Sequence, residues 1–309
     1  MKHFILRLSL AALMPLAVLK PVPGHGETVA AQPAEERMGR ISVITMGNKG
    51  TPVILIPGLA SPRAVWDGIA PDLARNHRVF LVQINGFSGD DPGQNLSAGL
   101  LDGVVADLDT YIARRKLAGP AVIGHSMGGL IGLMLAKAHP DDVAKLMVVD
   151  SLPWFGAVFA PPGVSMTAAM IEPQARAMRD RIAATYGKPV DPATVDAQTR
   201  NLALKPESIA RMKIWAAAAD PRVTALGVYE DLTTDLRGDM AAIKTPITLV
   251  YPWNTSTILT EANAHAFYHA QYAGAPSITY SPIGDAAHFV MLDQPQQFAT
   301  AVSVFLRGQ

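Results

Sequence analysis

The sequence contains no cysteine among its 309 residues. This absence excludes disulfide bonds, thiolate nucleophiles, thiolate metal sites and the lipid-modified cysteine of a bacterial lipoprotein. An excess of charge of one sign is lacking too, because 26 basic residues balance 26 acidic ones and the formal net charge is zero. Such a chain has no long-range field that draws a polyanion to its surface, so nucleic acid is not an expected partner. Any nucleophile must be an oxygen or a nitrogen.

Aromatic residues are few, at 6%, yet residues of the hydrophobic set make up 49% of the chain. This content supplies a sizeable core and excludes a disordered or collagen-like chain. The length suits an α/β fold that carries an insertion.

The N-terminus has the composition of a secretory signal. Basic residues precede an apolar stretch at 8–19, and small residues before Gln32 suit a signal peptidase. The apolar stretch is shorter than the roughly 20 residues that a membrane span needs, so a stable membrane anchor is not expected. We predict that residues 1–31 are a signal peptide and that the mature protein is periplasmic or secreted. Cleavage near residues 24–26 is the alternative.

Beyond the signal, short β-type runs alternate with longer helical ones. The strand-like runs lie at residues 41–44, 52–56, 79–82, 121–123, 146–149, 247–250 and 277–280. Helical spacing is found at residues 64–75, 98–115, 127–138 and 295–306. This order predicts an α/β fold with a mostly parallel central sheet flanked by helices.

One region breaks the alternation. From residue 151 to about 236 no strand-like run occurs, and Asp191 and Asp220, each followed by proline, are helix-start signals. The pattern predicts a helical cap insertion over residues 151–236, between core segments 32–150 and 237–309. Its methionines and aromatic residues could line an apolar pocket, although most are expected only to pack the insertion onto the core.

The chemistry concentrates at Gly124-His125-Ser126-Met127-Gly128, between an apolar strand and an apolar helix. This Gly-x-Ser-x-Gly pattern predicts a nucleophile elbow, in which the chain turns so sharply that the residues two before and two after the serine must lack bulk. Gly124 and Gly128 meet that need. The turn would raise Ser126 Oγ above the sheet at the positive end of the helix dipole. A chance glycine-rich junction is the alternative.

The elbow and its context resemble the α/β-hydrolase superfamily, and the resemblance extends over residues 41–306. It implies that Ser126 is the nucleophile and that the backbone amides of Leu59 and Met127 form the oxyanion hole. The loop of Leu59 departs from the family pattern, since Pro57 stands where a histidine is usual.

The resemblance also implies a histidine base near the C-terminus, and His288 lies between the last strand-like run and the terminal helix. The order serine, acid, histidine then fits the fold. His265 and His269 are four residues apart, but the residues between them lack the glutamate of a zinc-protease helix, so an exposed helix face is expected. The other histidines lie in the presequence, at element edges or in the elbow: His3, His25, His77, His139 and His125.

The acid is the least regular part of the pattern. Family members commonly carry it after the strand that corresponds to residues 247–250, yet residues 251–256 contain no carboxylate. Asp150 ends the preceding strand, where some members of the superfamily carry their acid, and the carboxyl edge of the sheet is where such sites lie. We therefore predict Asp150 as the acid, with Glu261 and Asp285 as alternatives and a purely capping role for Asp150 as another.

Together these roles predict a serine hydrolase that cleaves carboxylic esters of small or medium acyl groups through an acyl-enzyme, without a metal or organic cofactor. Serine at the elbow argues against haloalkane dehalogenases and epoxide hydrolases, whose related elbows carry aspartate. A C–C bond hydrolase, a lactonase and an acyltransferase of the same fold are alternatives. A non-catalytic ligand-binding protein is a further one, disfavoured because Ser126 and His288 are both present.

Overall fold

A single eight-stranded sheet forms the centre of the part of the chain that the structure, a computed structural model, describes: residues 34–161, 164–256 and 260–308. The predicted signal peptide, residues 1–31, lies outside the described residues. The strands are β1 (Glu35–Arg37), β2 (Ile41–Met46), β3 (Pro52–Ile56), β4 (Arg78–Ile84), β5 (Ala121–His125), β6 (Lys145–Val149), β7 (Ile247–Trp253) and β8 (Ile278–Gly284).

The order of the strands across the sheet is β1-β2-β4-β3-β5-β6-β7-β8. Strands β3 to β8 run parallel, whereas β2 pairs antiparallel with both β1 and β4. All five residues of β3 are buried, as expected for a central parallel strand covered on both faces. The predicted mostly parallel sheet is confirmed.

Helices cover both faces of this sheet. Those of the described residues are α1 (Ala70–Leu73), α2 (Leu100–Arg115), α3 (Met127–Ala138), α4 (Ala168–Ala183), α5 (Pro192–Thr199), α6 (Pro206–Ala218), α7 (Pro221–Thr233), α8 (Glu261–Gln271), α9 (Val290–Asp293) and α10 (Pro295–Arg307). None of them is long and apolar enough to cross a lipid bilayer.

The prediction of a continuous helix over residues 64–75 is wrong. The chain instead forms a 3₁₀ segment at Arg63–Trp66 and then the short helix α1. Pro71 explains the break, because in a continuous helix its ring would clash with the carbonyl of Asp67 and its missing N–H would leave that carbonyl without a partner.

Side chains of the strands alternate between two apolar clusters, one on each face of the sheet. In β3, Ile54 and Ile56 belong to the cluster that includes residues of α2 and α3. Val53 and Leu55 belong to the other cluster, which includes Phe298 of α10. The pleat of each strand thus joins both helical layers to one sheet.

Only helices form between Val149 and Ile247 within the described residues. Asp191 and Asp220 are the N-caps of α5 and α7, because each side chain accepts hydrogen bonds from amides of the first helical turn. Helix α4 packs along α7, and α7 in turn contacts α2 and α3. The boundaries of the insertion, residues 151–236, stay a prediction.

The carboxyl ends of β3 and β5 meet where the strand order reverses. Since β3 lies between β4 and β5, the chain leaves β3 toward one side and later returns on the other. Such a switch point opens a crevice at the carboxyl edge, where parallel sheets bind ligands. Ile56 pairs with Gly124, so the loops that follow the two strands leave the sheet side by side.

Candidate active site

Ser126 occupies the strained turn that the sequence predicts between β5 and α3. Its backbone has φ 54° and ψ −126°, a conformation that residues other than glycine rarely adopt. A Cβ atom added to Gly124 would lie 2.2 Å from the carbonyl oxygen of Gly128. One added to Gly128 would lie 2.5 Å from the carbonyl oxygens of Ile56 and Pro57. Both glycines are therefore required by backbone contacts around the serine.

The loop after β3 passes directly against the elbow. A Cβ atom added to Gly58 would lie 2.9 Å from Cβ of Ser126. The amides of Leu59 and Met127 donate no hydrogen bond to any other described residue. Both are backbone donors close to the serine and therefore suit the oxyanion hole, whose donors must already be in place when negative charge develops. Pro57 does not displace this loop from the serine. The roles of the two amides stay predictions.

Asp150 and His288 form a hydrogen-bonded pair although 138 residues separate them. The His288 Nδ1 to Asp150 Oδ2 distance is 2.7 Å, and the two side chains are 23% and 12% exposed. Burial alone would raise the pKa of Asp150, but the charge of His288 and hydrogen bonds from His288 and Tyr268 outweigh it and hold that pKa below its usual value. Asp150 therefore stays ionised at neutral pH, as its predicted role in stabilising an imidazolium requires.

Among the described residues, no hydrogen bond joins the side chains of Ser126 and His288. They are linked through His125, whose ring centroid lies 4.6 Å from that of His288. Nucleophile–base hydrogen bonds are often long in free enzymes and shorten when substrate binds.

The alternative acids do not reach the histidine. Glu261 is the first residue of α8 and is exposed, and Asp285 is also exposed. Neither forms a hydrogen bond with His288 in the described structure. Asn254, which lies where family members commonly have the acid, is buried and donates from Nδ2 to the carbonyl of Ala286 at 3.0 Å. This amide ties the loop after β7 to the loop that carries the histidine.

Tyr268 of α8 has a role that the sequence did not reveal. Its hydroxyl donates to Asp150 Oδ1, the oxygen that His288 does not use. Burial, followed by the charge of Asp150, raises the pKa of Tyr268 well above its usual value, so the hydroxyl remains a donor. The carboxylate thus accepts from two donors. In the sequence, Tyr268 is recognisable only by its spacing of four residues from Ala264, and both residues are buried in the structure. This spacing predicts a packed helix face and does not indicate a role in the site.

We expect Tyr268→Phe to lower kcat for ester hydrolysis by roughly tenfold, since a hydrogen bond to a charged group contributes about 1.5 to 3 kcal/mol. Loss of this donor also raises the pKa of Asp150, because one hydrogen bond to the ionised carboxylate disappears. Tyr280→Phe is the matched control, because the ring of Tyr280 stacks on His269 of α8 at a centroid distance of 3.5 Å. Equal kcat values for the two variants would remove Tyr268 from the site.

His125 is the second residue that sequence reasoning missed. It is fully buried, and its Nε2 lies 2.9 Å from the carbonyl oxygen of His288. Burial, together with the charge of His288, lowers the pKa of His125 to about 3. It therefore stays neutral over the working range of a hydrolase. A neutral ring that donates from Nε2 positions the backbone of the loop that carries His288, without competing with the predicted base.

Helix α7 lies on Leu59 and Met127, the predicted oxyanion residues, and is fixed to the core. A Cβ atom added to Gly227 would meet Cδ1 of Leu59 at 2.6 Å. Three residues later, Glu230 accepts hydrogen bonds from the amides of residues 99–101 at 2.8 to 2.9 Å and so caps the start of α2. The indole of Trp154 donates to the carbonyl of Leu232 at 2.7 Å. These contacts hold α7 in one position above the elbow.

The carboxylate of Asp293 joins the insertion to the histidine loop. It is fully buried and accepts from the amide of Ala287, beside His288, at 3.0 Å. It also accepts from the amides of Leu204 and Lys205, at 3.0 and 3.3 Å. The loop between α5 and α6 and the loop of the predicted base therefore share one buried charge.

A group of residues far from the elbow could hold a metal ion. Ligand atoms of Asp109, His139 and Asp142 lie within 4.8 Å of one another. His139 follows the last residue of α3, whereas Ser126 precedes its first, so the length of that helix, about 18 Å, separates them. All three side chains are partly exposed, and this group takes no part in the site.

The sequence profile of the alpha/beta hydrolase family matches residues 53–301, which is most of the chain. The chain belongs to the alpha/beta hydrolase family. Among curated alpha/beta hydrolases, the pimeloyl-[acyl-carrier protein] methyl ester esterase of Aeromonas hydrophila is 26% identical over 269 residues, covering 86% of this chain and 99% of that protein.

Solved alpha/beta hydrolase structures share this fold. A thermophilic esterase from Thermogutta terrifontis superposes with a TM-score of 0.71 at 19% identity, covering 89% of this chain and 98% of that one. The enol-lactonase from Burkholderia xenovorans superposes with a TM-score of 0.68 at 18% identity, with coverages of 87% and 96%. At these identities the likeness shows the fold alone.

Proposed function

We propose that the protein is a serine hydrolase that cleaves carboxylic esters of small or medium acyl groups. The observation that carries this proposal is the 2.7 Å pair of His288 and Asp150 beside a serine in a strained, glycine-flanked elbow. An ester-cleaving function also agrees with the curated relative named above, a methyl ester esterase.

The reaction follows from the placement of these groups. His288 Nε2 takes the proton of Ser126 as Oγ attacks the ester carbonyl, and the amides of Leu59 and Met127 hold the oxyanion. His288 then gives that proton to the departing alkoxide, which leaves as the alcohol. Water, deprotonated by the same imidazole, attacks the acyl-enzyme and releases the carboxylic acid with regeneration of the serine hydroxyl. Asp150 holds the imidazole in the required tautomer throughout.

A panel of esters that differ in acyl length, assayed beside lactones and β-diketones, tests this proposal. We expect kcat/KM to be highest for short or medium acyl esters. Faster turnover of the β-diketones would indicate C–C bond hydrolysis, and faster turnover of the lactones would indicate a lactonase. Transfer of the acyl group to an added alcohol in preference to water would indicate an acyltransferase.

We also propose that the mature enzyme is exported, on the basis of the signal-like composition of residues 1–31. The chain expressed from its own start in a Gram-negative host should be found in the periplasmic fraction. Its N-terminus should be Gln32 or a residue within a few positions of it. Recovery of a product with intact Met1 in the membrane fraction would contradict export with cleavage.

A further inference from the structure

Asp231 of α7 is a buried carboxyl group that the proposed reaction does not use. The residue is only 6% exposed, and its carboxyl forms no hydrogen bond with any other described residue. Buried acids usually have protein partners, because burial takes away most of the water that would otherwise hydrogen-bond to the carboxyl. A buried carboxyl without such a partner, close to the predicted site, is a candidate for ligand recognition.

The position of Asp231 follows from the face of α7 that carries it. Gly227 lies four residues earlier and packs on Leu59. A Cβ atom added to Gly227 would lie 3.3 Å from Met127 Sδ. Residues four apart share one face of a helix, one turn from each other. Asp231 therefore lies one turn beyond the oxyanion residues. It is close enough to His288 for the charge of that imidazole to act on its carboxyl.

Other charged groups that reach α7 have partners of their own. Glu230 binds the start of α2, and from α4 the Glu172 carboxylate accepts from Tyr229 and pairs with Arg176. Arg179 of α4 lies over the ring of Tyr229 at 5.1 Å. Among the described residues, His288 is the charged group that acts on Asp231. Burial raises the pKa of Asp231 to about 7, and the charge of His288 offsets only part of that effect.

We infer that Asp231 is a specificity-determining residue of the ester site and that it selects esters whose alcohol part carries a cationic amine. This inference rests on the proposed function. The base must reach the leaving oxygen, so a group beside His288 lies next to the alcohol part of the ester, whereas the oxyanion amides are on the other side of the carbonyl. An ammonium group there would give the unpaired carboxylate its missing partner.

A matched pair of substrates isolates this contact: 2-(dimethylamino)ethyl butyrate and 3-methylbutyl butyrate, which have the same shape and differ by one cationic centre. At about pH 8 we expect the wild-type kcat/KM to favour the cationic ester by about tenfold to hundredfold, the range for a charge-assisted hydrogen bond. This preference should be about fivefold to ninefold smaller at about pH 6, because the neutral carboxyl leaves a ratio of about one. Over that range the ionised fraction of a carboxyl with a pKa of about 7 changes from about nine tenths to about one tenth.

Asp231→Asn should bring the ratio of the two kcat/KM values close to one at both pH values. The amide has the same shape and removes a buried unpaired acid, so the variant should melt no lower than the wild type. Asp239→Asn is the control, because Asp239 forms an exposed ion pair with Lys137. That variant should keep the preference of the wild type.

The two proposals fail in different ways. Turnover of the neutral ester with no preference for the cation, or with a preference that Asp231→Asn retains, would overturn the inference about Asp231 and leave the esterase proposal intact. Turnover of neither ester by the wild type, together with no activity on the wider panel, would overturn both.

Discussion

Replacement of Ser126 by alanine is expected to lower kcat for ester hydrolysis by on the order of 10⁶, the loss typical of removing a nucleophile that acts as part of a triad. Labelling by a fluorophosphonate, which needs an activated serine, should disappear as well. The fold should persist, because alanine has the same Cβ atom as serine at the strained φ of 54° and adds no new contact.

Ser303→Ala is the control for this experiment. Ser303 is an exposed residue of α10, on a helix that packs against the other face of the sheet, and the change should leave turnover and labelling as in the wild type. If purified Ser126→Ala turned over ester at a near-native rate, the elbow would not carry the nucleophile and the proposed mechanism would be wrong.

Asp150→Asn is expected to lower kcat by on the order of 10⁴, the loss known for this change in a serine triad. The carboxylate accepts from His288 at one oxygen and from Tyr268 at the other, whereas an amide offers a single acceptor oxygen. One of the two donors must lose its partner, and the imidazole changes tautomer. The backbone should tolerate the change, because φ of residue 150 is 45° and asparagine readily adopts this left-handed region.

Glu261→Gln and Asp285→Asn are the controls for the acid, since both residues are exposed and neither bonds the histidine. Each should retain most of the native kcat. An Asp150→Asn enzyme that kept more than about a tenth of the native kcat, beside a loss of several orders in one control, would move the acid to that control position. Similar modest losses in all three would indicate a Ser-His pair supported by another group, with Asn254 the next to test.

Residues with local signals were predictable from the sequence. The elbow glycines are one example, because the serine pattern lies between a strand and a helix that were themselves recognisable. Asp150 was predicted from the family resemblance, because the usual position of the acid holds no carboxylate and some members carry the acid at the end of the preceding strand. The structure brings Asp150 and His288 together, and their catalytic roles stay predictions that the variants above address.

Residues that neither a local pattern nor the family resemblance marks could not be predicted. Tyr268 reaches Asp150 across 118 residues, and no local pattern marks an α8 tyrosine as a partner of a β6 aspartate. His125 occupies a variable position of the Gly-x-Ser-x-Gly pattern, so the pattern assigns it no role. Its burial depends on the loop of His288, which is distant in the sequence. The short strand β1 has the sequence Glu-Glu-Arg, so it lacks the apolar alternation that predicts a strand. It forms a strand at the edge of the sheet through antiparallel pairing with β2, a contact that the local sequence does not predict.

The shared charge of Asp293 limits how this enzyme can be re-engineered. One buried carboxylate holds amides of the insertion at residues 204–205 and the amide of Ala287 beside the predicted base. An exchange of the insertion for that of another hydrolase would leave this carboxylate short of donors and loosen the loop that aims the imidazole. A chimaeric protein would therefore need both the turn at residues 204–205 and a carboxylate acceptor at the position of Asp293, because the insertion cannot be exchanged without these contacts.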